Sequence, residues 1–284
     1  MSVAVITFVF NESVNLPIWM GYFGGLFGRE NLFIVDWGST DGSTAELGRA
    51  NKLTLPRKAF DEDIRTEFIS HLHRTLLYYY DFVIYTDCDE LLVPDPALYT
   101  DLNDYIHKNE RDYVTCTGLN VQHIITSEQP LDLDRPILSQ RKYVRFSSPT
   151  CKTLISRVPV RWLPGFHCCD KPPMIDQGLF LFHLKLMDYS LAMRRHRVNR
   201  ETVWSERSVS GGLSAHHRYD YDRFVREAFL DPVNMINQHR IVEFDFSSQI
   251  TEIADKVVER GGYYFAPNNI TVMAEIPDRL RSAF

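Results

Sequence analysis

The chain has 284 residues, enough for one large or two small domains with ample material for a core. A hydrophobic share of 44% and a charged share of 24% are ordinary for a globular protein, and no apolar run approaches membrane-spanning length. The net charge of −6 argues against a nucleic-acid partner. Residues 1–10 lack a basic leader and predict a strand rather than a signal peptide, so we expect a cytoplasmic protein.

Strands and helices are predicted to alternate over the first ninety residues. Apolar and β-branched runs predict strands at 2–10, 32–35, 53–55 and 82–85, and helical spacing predicts helices at 16–26, 44–50 and 63–80. This alternation is typical of an α/β fold with a mixed, mostly parallel sheet and helices on both faces.

Polar turns follow three of these strands, at residues 7–12, 36–43 and 87–90. Parallel strands bring their carboxyl ends to one edge of the sheet, where open α/β sheets bind ligands. The turns contain neither the dinucleotide fingerprint nor a P-loop. We therefore predict a nucleotide-sized cleft in which carboxylates, a metal and scattered side chains hold the ligand.

The strongest chemical signal is the acidic stretch Asp87-Cys88-Asp89-Glu90, directly after the strand at 82–85. In an extended chain, alternation points Asp87 and Asp89 to the same side, with Cys88 facing the other way. Two carboxylates this close repel each other unless a cation lies between them, and their oxygens suit Mg²⁺ or Mn²⁺. The alternative is an acidic turn that only caps the next segment.

A second metal hypothesis involves the adjacent cysteines Cys168 and Cys169, which could not form an ordinary unstrained disulfide. With His167 they could join a zinc site. The second pair of ligands that such sites use is missing from the sequence.

Three segments resemble, in order, motifs of nucleotide-sugar glycosyltransferases with the GT-A fold, closest to family-two-like bacterial enzymes that build surface polysaccharides. They are VFNE at 9–12, IVDWGSTDGS at 34–43 and TDCDE at 86–90, with looser similarity at 162–167 and 181–188. The resemblance implies a metal, Mn²⁺ or Mg²⁺, bound by Asp89 with help from Asp87. It also implies that a late histidine completes the metal shell, for which His183 fits best and His167 second.

The same resemblance implies the residues that contact the donor. Asp36 is expected on the nucleotide base, although Trp37 stands where the family carries an acidic or amide residue, which alters the expected base contacts. The resemblance also implies that Thr7 and Glu12 line the same pocket. Apart from the resemblance, we expect Asn11, Arg65 and Asp87 to bind the nucleotide sugar as well. Arg65 would reach the nucleotide or its diphosphate; a solvated surface arginine is the alternative.

The rest of the chain predicts helices at 101–108, 187–204, 219–229 and 250–260 and strands at 113–121, 142–146, 152–158 and 179–184. We expect a catalytic domain at 1–190, with a nucleotide-sugar half at 1–95 and an acceptor half at 96–190. Residues 191–284 are expected to form a helical C-terminal extension. Within it, the glycine- and serine-rich segment 208–217 is the best candidate for a mobile loop that closes over the donor.

An inverting transfer needs a carboxylate to take the proton of the acceptor. Asp170 is our prediction, because it follows the glycine loop at 164–166, roughly where relatives place the base. Spacing does not separate it from Asp176, Glu128 and Asp132, and a retaining mechanism without a base stays open.

The sequence thus predicts a metal-dependent glycosyltransferase that moves a sugar from a UDP- or GDP-sugar to a saccharide or lipid-linked acceptor. Two alternatives are a sugar nucleotidyltransferase and a saccharide-binding protein without turnover. The first usually has a glycine-rich, basic loop after strand one, where this chain has NESVN at 11–15. Peripheral association with the inner face of the membrane and the oligomeric state stay open.

Overall fold

In the computed structural model, which describes residues 1–238, 240–241, 243–266 and 269–284, the sheet is built around strand β1 (Val3–Val9). Strands β2 (Leu32–Asp36) and β4 (Phe82–Tyr85) flank β1 and run parallel to it, and β3 (Asn51–Thr54) pairs in parallel with β2. Six of the seven residues of β1 are buried. A strand covered on both faces needs a nearly continuous apolar run, which this segment supplies.

The described residues form an eleven-stranded mixed sheet and a separate two-stranded hairpin. The order along the main path of the sheet is β10-β13-β7-β6-β8-β4-β1-β2-β3, and β9 pairs with both β5 and β6. The further strands are β5 (Glu90–Pro94), β6 (Tyr113–Gln122), β7 (Tyr143–Ser147), β8 (Thr153–Ser156), β9 (Ile175–His183), β10 (Arg240–Ile241), β11 (Val258–Arg260), β12 (Tyr263–Phe265) and β13 (Thr271–Glu275).

Helices cover the sheet and supply the apolar faces of the core. They are α1 (Asn15–Phe27), α2 (Glu62–Leu76), α3 (Leu102–Lys108), α4 (Tyr189–Glu201), α5 (Glu206–Ser210), α6 (Tyr221–Val225), α7 (Asp231–Gln238) and α8 (Ser247–Lys256). The predicted stripe of α1, namely Leu16, Trp19, Met20 and Phe23, is buried. The predicted α/β class with a mixed sheet is confirmed. No described helix is both long and apolar enough to cross a membrane.

Two local predictions differ from the structure. The helix expected at 44–50 does not form, because the side chain of Thr44 donates to Asp36 (2.7 Å) and Gly48 adopts a φ of +61°. The segment after Glu90, expected only to leave the cleft, is the fully buried strand β5, antiparallel to β9.

The C-terminal segment is not a helical extension alone. Strand β13 pairs antiparallel with β7, and β10 pairs parallel with β13, so the segment adds two strands to the main sheet. Phe246, Ile253 and Val272 belong to the same buried cluster as β1. The described residues after 190 therefore share one core with residues 1–190 rather than packing as a separate unit.

The close approach of β6 to the turn Ser148–Thr150 generates a stability prediction. A Cβ atom at Gly118 would lie 2.2 Å from the backbone carbonyl carbon of Thr150, so the backbone itself must shift. We expect Gly118→Ala to lower the free energy of unfolding by about 1–3 kcal/mol or more, measured by urea denaturation.

Gly21 is the matched control, because it lies on the exposed face of α1 with no atom within 4 Å of an added Cβ. Gly21→Ala should raise the free energy of unfolding by roughly 0.5–1 kcal/mol, the helix propensity of alanine over glycine. Equal effects of the two substitutions would contradict the packing of Gly118.

Candidate active site

A cleft lies at the edge of the sheet where the parallel strands β1, β2 and β4 end. One wall consists of residues that follow these strands, and α2 and the loop 165–167 form a second. Helix α4 and residues of the segment 202–217 close the opposite side. The cleft therefore occupies the position in which open α/β sheets bind ligands.

The carboxylate of Asp87 is held by three donors at the floor of this cleft. The hydroxyl of Tyr85 (2.8 Å) and Nη1 of Arg65 (3.1 Å) donate to Oδ1, and Nζ of Lys152 (3.2 Å) donates to Oδ2. Burial opposes ionisation, but Lys152 and Arg65 outweigh it and hold the pKa of Asp87 well below its ordinary value. Asp87 is therefore an ionised carboxylate whose two oxygens are already engaged.

Lys152 joins Asp87 to Glu90 in a buried network. Its ammonium lies 2.6 Å from Oε1 of Glu90, and both side chains are almost fully buried. Glu90 also accepts from the backbone N–H of Asp87 (3.2 Å), while its own N–H donates to the carbonyl of Asp87 (3.0 Å). Residues 87–90 thus form a closed turn rather than the extended chain that the sequence predicts.

The register of β5 with β9 brings His183 to the acidic turn. Glu90 and His183 are paired across the two strands, and Nε2 of His183 lies 3.3 Å from Oδ2 of the preceding Asp89. Nδ1 of His183 faces Oδ1 of Asn120 at 3.0 Å. With Nδ1 directed at Asn120, Nε2 faces the carboxylate, where its proton donates to Asp89 unless a cation takes the place of that proton.

Asp89 is ionised in this arrangement. Burial raises the pKa of Asp89, but the neighbouring His183 outweighs this effect and lowers the pKa below its ordinary value. The pair therefore offers an anionic oxygen and an imidazole nitrogen to one point in the cleft.

Asp89 and His183 could supply two ligands of a divalent cation. Among the described residues, no group of three or more His, Cys, Asp or Glu side chains is arranged to hold a metal, which includes the Cys168–Cys169–His167 hypothesis. Mg²⁺ is usually bound through one or two carboxylates together with substrate phosphates and water, and carboxylates also suit Mn²⁺. Asp89 and His183 fit this open type of site, whereas the oxygens of Asp87 are taken by cations.

Glu12 lies on the cleft wall opposite α2. Its Oε1 lies 2.8 Å from Nη2 of Arg195 on α4, and Nδ2 of Asn15 donates to Oε2 (3.0 Å). Burial raises the pKa of Glu12 to about 7, although Arg195 acts in the opposite direction. Glu12 is therefore a carboxyl group that takes or releases a proton near neutral pH.

Lys185 supplies a cation to the cleft two residues after His183. It makes no hydrogen bond or ion pair with any residue in the part of the chain that the structure describes. Burial lowers the pKa of Lys185 to about 8, against the attraction of Asp89. This ammonium is available to an anionic ligand.

Three residues predicted to bind the donor do not line the cleft. Asp36 is 2% exposed, and its carboxylate accepts from the N–H of Ser39 (2.8 Å), from Thr44 Oγ1 (2.7 Å) and from Lys52, 3.1 Å away. Although burial opposes it, these bonds lower the pKa of Asp36. Asp36 thus organises the turn after β2, and both of its carboxylate oxygens are engaged there.

Thr7 and Asn11 are the other two predicted donor-binding residues that do not line the cleft. Thr7 is fully buried within β1. Asn11 adopts a φ of +53°, and its side-chain oxygen accepts from the N–H of Thr40 (2.8 Å), which ties together the loops after β1 and β2. In contrast, Glu12, Arg65, Asp87, Asp89 and His183 all line the cleft, as does the second candidate histidine, His167.

The predicted base Asp170 lies in a second cavity, between α2 and the loop 158–164. Its Oδ1 accepts from the N–H of Arg161 (2.9 Å). The alternatives also lie elsewhere: Asp176 accepts from Tyr105 and Arg111, and Glu128 binds backbone N–H groups. Asp132 does not line the cleft either. Position therefore supports none of these carboxylates as the base.

Sequence reasoning missed several residues of the cleft. Lys152 is one of six basic residues between 141 and 161 and belongs to no motif, and the same is true of Trp204, while Lys185 lies only in the segment 181–188 of looser similarity. The segment 208–217, predicted to be a mobile loop, contains the end of α5 and the turn Ala215–Arg218. Within it, Ser208 is buried and Ser214 donates to Glu62 (3.0 Å).

No family model matches the chain, and no curated protein matches it. Among solved structures, glucosyl-3-phosphoglycerate synthase from Mycobacterium tuberculosis with Mn²⁺, UDP-glucose and phosphoglyceric acid aligns at 18% identity and a TM-score of 0.29. That alignment covers 41% of this chain and 44% of the synthase, so the chain spans less than half of the synthase.

Mannose-1-phosphate geranyltransferase from Thermus thermophilus aligns at 10% identity and a TM-score of 0.32. The alignment covers 82% of this chain and 67% of that protein. Similarities at this level do not indicate which reaction the chain catalyses.

Burial of Glu12 predicts a pH dependence of stability. Its pKa is raised from 4.5 to about 7, so between these values the folded protein holds a proton that the unfolded chain has released. The free energy of unfolding of the metal-free protein should therefore fall as pH rises through this window. In Glu12→Gln this fall should be smaller by about 2 kcal/mol between about pH 5 and 7.

Urea denaturation at several pH values in the presence of EDTA measures the effect. Because Glu12→Gln also loses the ion pair with Arg195, its free energy of unfolding is expected to differ from wild type at every pH. The test is therefore the slope of the free energy of unfolding against pH. Parallel curves for wild type and Glu12→Gln would contradict the assignment.

Proposed function

We propose that the chain is a metal-assisted glycosyltransferase that moves a sugar from a UDP- or GDP-sugar to a saccharide or glycolipid acceptor. The observation that carries the proposal is the convergence, in one strand-end cleft, of the Asp89–His183 pair with the cations Arg65, Lys152 and Lys185. When the sugar is transferred, the nucleoside diphosphate departs as a dianion or trianion, so the reaction depends on cations placed around the departing phosphates.

The cleft residues divide the work of neutralising the diphosphate. Asp89 and His183 would hold Mn²⁺ or Mg²⁺, which when bound supplies Lewis-acid stabilisation of the leaving diphosphate. The ammonium of Lys185 is the group left to bind a phosphate oxygen directly. Arg65 and Lys152 are paired with Asp87, which keeps these cations at the cleft floor and limits excess positive charge there.

An inverting transfer also needs a proton acceptor. The acceptor hydroxyl attacks the anomeric carbon, the bond from that carbon to the phosphate oxygen breaks, and the hydroxyl proton passes to a base. Of the carboxylates that line the cleft in the described residues, Glu12 has a pKa near the working pH, which is where a general base is most effective. Arg195 orients this carboxylate from α4.

The nucleotidyltransferase alternative gains no support from the site. No basic side chain of the loop after β1 lines the cleft; the acidic Glu12 lines it instead. A saccharide-binding protein without turnover would not need the paired Asp89 and His183. A role in surface polysaccharide synthesis rests on the sequence resemblance and stays a prediction.

Substitution of Asp89 tests the proposal. Candidate donors are first found by screening UDP- and GDP-sugars for Mn²⁺-dependent thermal stabilisation, since ligand binding raises apparent stability. We then expect Asp89→Asn to lower the rate of transfer or hydrolysis of a radiolabelled donor by at least about a hundredfold, because the metal would lose its anionic ligand.

The exposed Asp134→Asn provides the control and should keep wild-type activity and stability. Circular dichroism should show that Asp89→Asn is folded. Transfer that survives both EDTA and Asp89→Asn would contradict the metal-assisted mechanism.

A further inference from the structure

The turn after β2 presents Trp37, rather than Asp36, to the cleft. The N–H of Trp37 donates to the carbonyl of Val9 (3.0 Å), so the pairing of β1 and β2 continues one residue beyond the strand. Successive side chains of an extended segment point to opposite sides. With Trp37 lining the cleft, the carboxylate of Asp36 points away from it and is bound within its own turn.

Trp37 belongs to a row of rings along one side of the cleft, which we call the aromatic wall. Its centre is Trp37 against Phe60, with ring centroids 4.9 Å apart, and Phe10 lies 5.4 Å from Trp37. Trp204 continues the row, 5.0 Å from Phe60. The members of the aromatic wall are Phe8, Phe10, Trp37, Phe60 and Trp204, all of which line the cleft.

The backbone fixes this wall across two distant parts of the chain. The N–H of Phe60 donates to the carbonyl of Val203 (2.7 Å), and the N–H of Ser205 donates to the carbonyl of Phe60 (2.8 Å). The ring of Trp204 is thereby held beside that of Phe60. The wall is therefore preformed; Trp37 is 7% exposed, and the other four rings are partly exposed.

The wall already binds one planar group of the chain itself. The guanidinium carbon of Arg57 lies 3.5 Å from the ring centroid of Phe10 and 4.3 Å from that of Trp37. Planar delocalised groups stack on aromatic faces with favourable energy. The rings of Phe10 and Trp37 therefore attract flat delocalised groups, and the exposed Arg57 is the group that a heterocycle stacking on them would displace.

We propose that the base of the donor nucleotide is recognised by stacking on the aromatic wall and not by hydrogen bonds to Asp36. This inference rests on the proposed function, because it places a nucleoside diphosphate in the same cleft. Stacking tolerates changes of base, since every base has a π-face, whereas a hydrogen-bonding carboxylate selects one base edge. The cleft accordingly accepts uridine and guanosine diphosphates alike.

Isothermal titration of the full chain in excess Mn²⁺ tests the proposal with UDP, GDP and inorganic pyrophosphate as probes. UDP and GDP should bind within roughly tenfold of each other, and both more tightly than pyrophosphate. Phe60→Leu and Trp37→Leu, which keep apolar volume but remove the ring, should weaken both nucleotides by roughly tenfold or more and leave pyrophosphate binding unchanged. Phe60→Tyr should restore nucleotide binding.

Two results would overturn the proposal. One is that the leucine variants, folded by circular dichroism, bind nucleotides as wild type does, or lose pyrophosphate binding equally. The other is that one base is preferred by more than roughly a hundredfold and that Asp36→Asn removes the preference. Leucine variants that bind UDP-glucose more weakly but bind UDP normally would also contradict the proposal. That result would indicate that the sugar, not the base, contacts the aromatic wall.

The same preparations separate this inference from the proposed function. If UDP and GDP depend on the aromatic wall but no sugar is transferred from any donor, stacking stands and the glycosyltransferase proposal fails. If sugar is transferred while the leucine variants bind nucleotides normally, the transferase proposal stands and stacking fails.

Discussion

The buried ion pairs between Lys152 and the acidic turn are the interaction on which the cleft depends. Glu90 is fully buried and Lys152 almost so. Either side chain, if charged and unpaired in that environment, would carry a large desolvation penalty. Removing one partner of a buried pair typically costs about 3–5 kcal/mol, because it leaves an uncompensated charge. The network therefore fixes the position of the turn as well as its charge.

That fixed turn determines what Asp89 can do. With Asp87 committed to Arg65 and Lys152, the next carboxylate along the turn faces His183, which the antiparallel pairing of β5 with β9 delivers from much later in the chain. The two carboxylates thus have different partners: Asp87 binds cations of the protein, and Asp89 faces His183, where we propose that the metal binds. Asp87 and Asp89 have the same side chain, and only their neighbours make their contacts differ.

How far the sequence predicts this site depends on the range of the interactions involved. Local patterns were sufficient for the parallel strands, for their polar ends and for the acidic turn, because strand alternation and turn chemistry act over a few residues. The family resemblance added His183, which the structure places beside Asp89. Lys152 was not distinguishable from its basic neighbours, because its role arises from the antiparallel pairing of β8 with β4.

Asp36 and Asp170, two of the predicted site residues, lie outside the cleft for physical reasons of the same kind. Asp36 was expected on the nucleotide base, but its two oxygens satisfy the turn that follows β2, and Trp37 takes the cleft-facing position. Asp170 follows a glycine loop as predicted, yet that loop separates the cleft from a second cavity, and Asp170 lies on the far side. The spacing of residues in the sequence does not predict either position, because both depend on which side of a turn faces the cleft.

The most direct measurement is anomalous X-ray diffraction from crystals grown with Mn²⁺ and UDP. We expect an anomalous manganese peak beside Asp89 and His183, with the diphosphate next to it and near Lys185. A manganese peak elsewhere, or a nucleotide bound outside the cleft with Asp89 and His183 still in direct contact, would contradict this expectation.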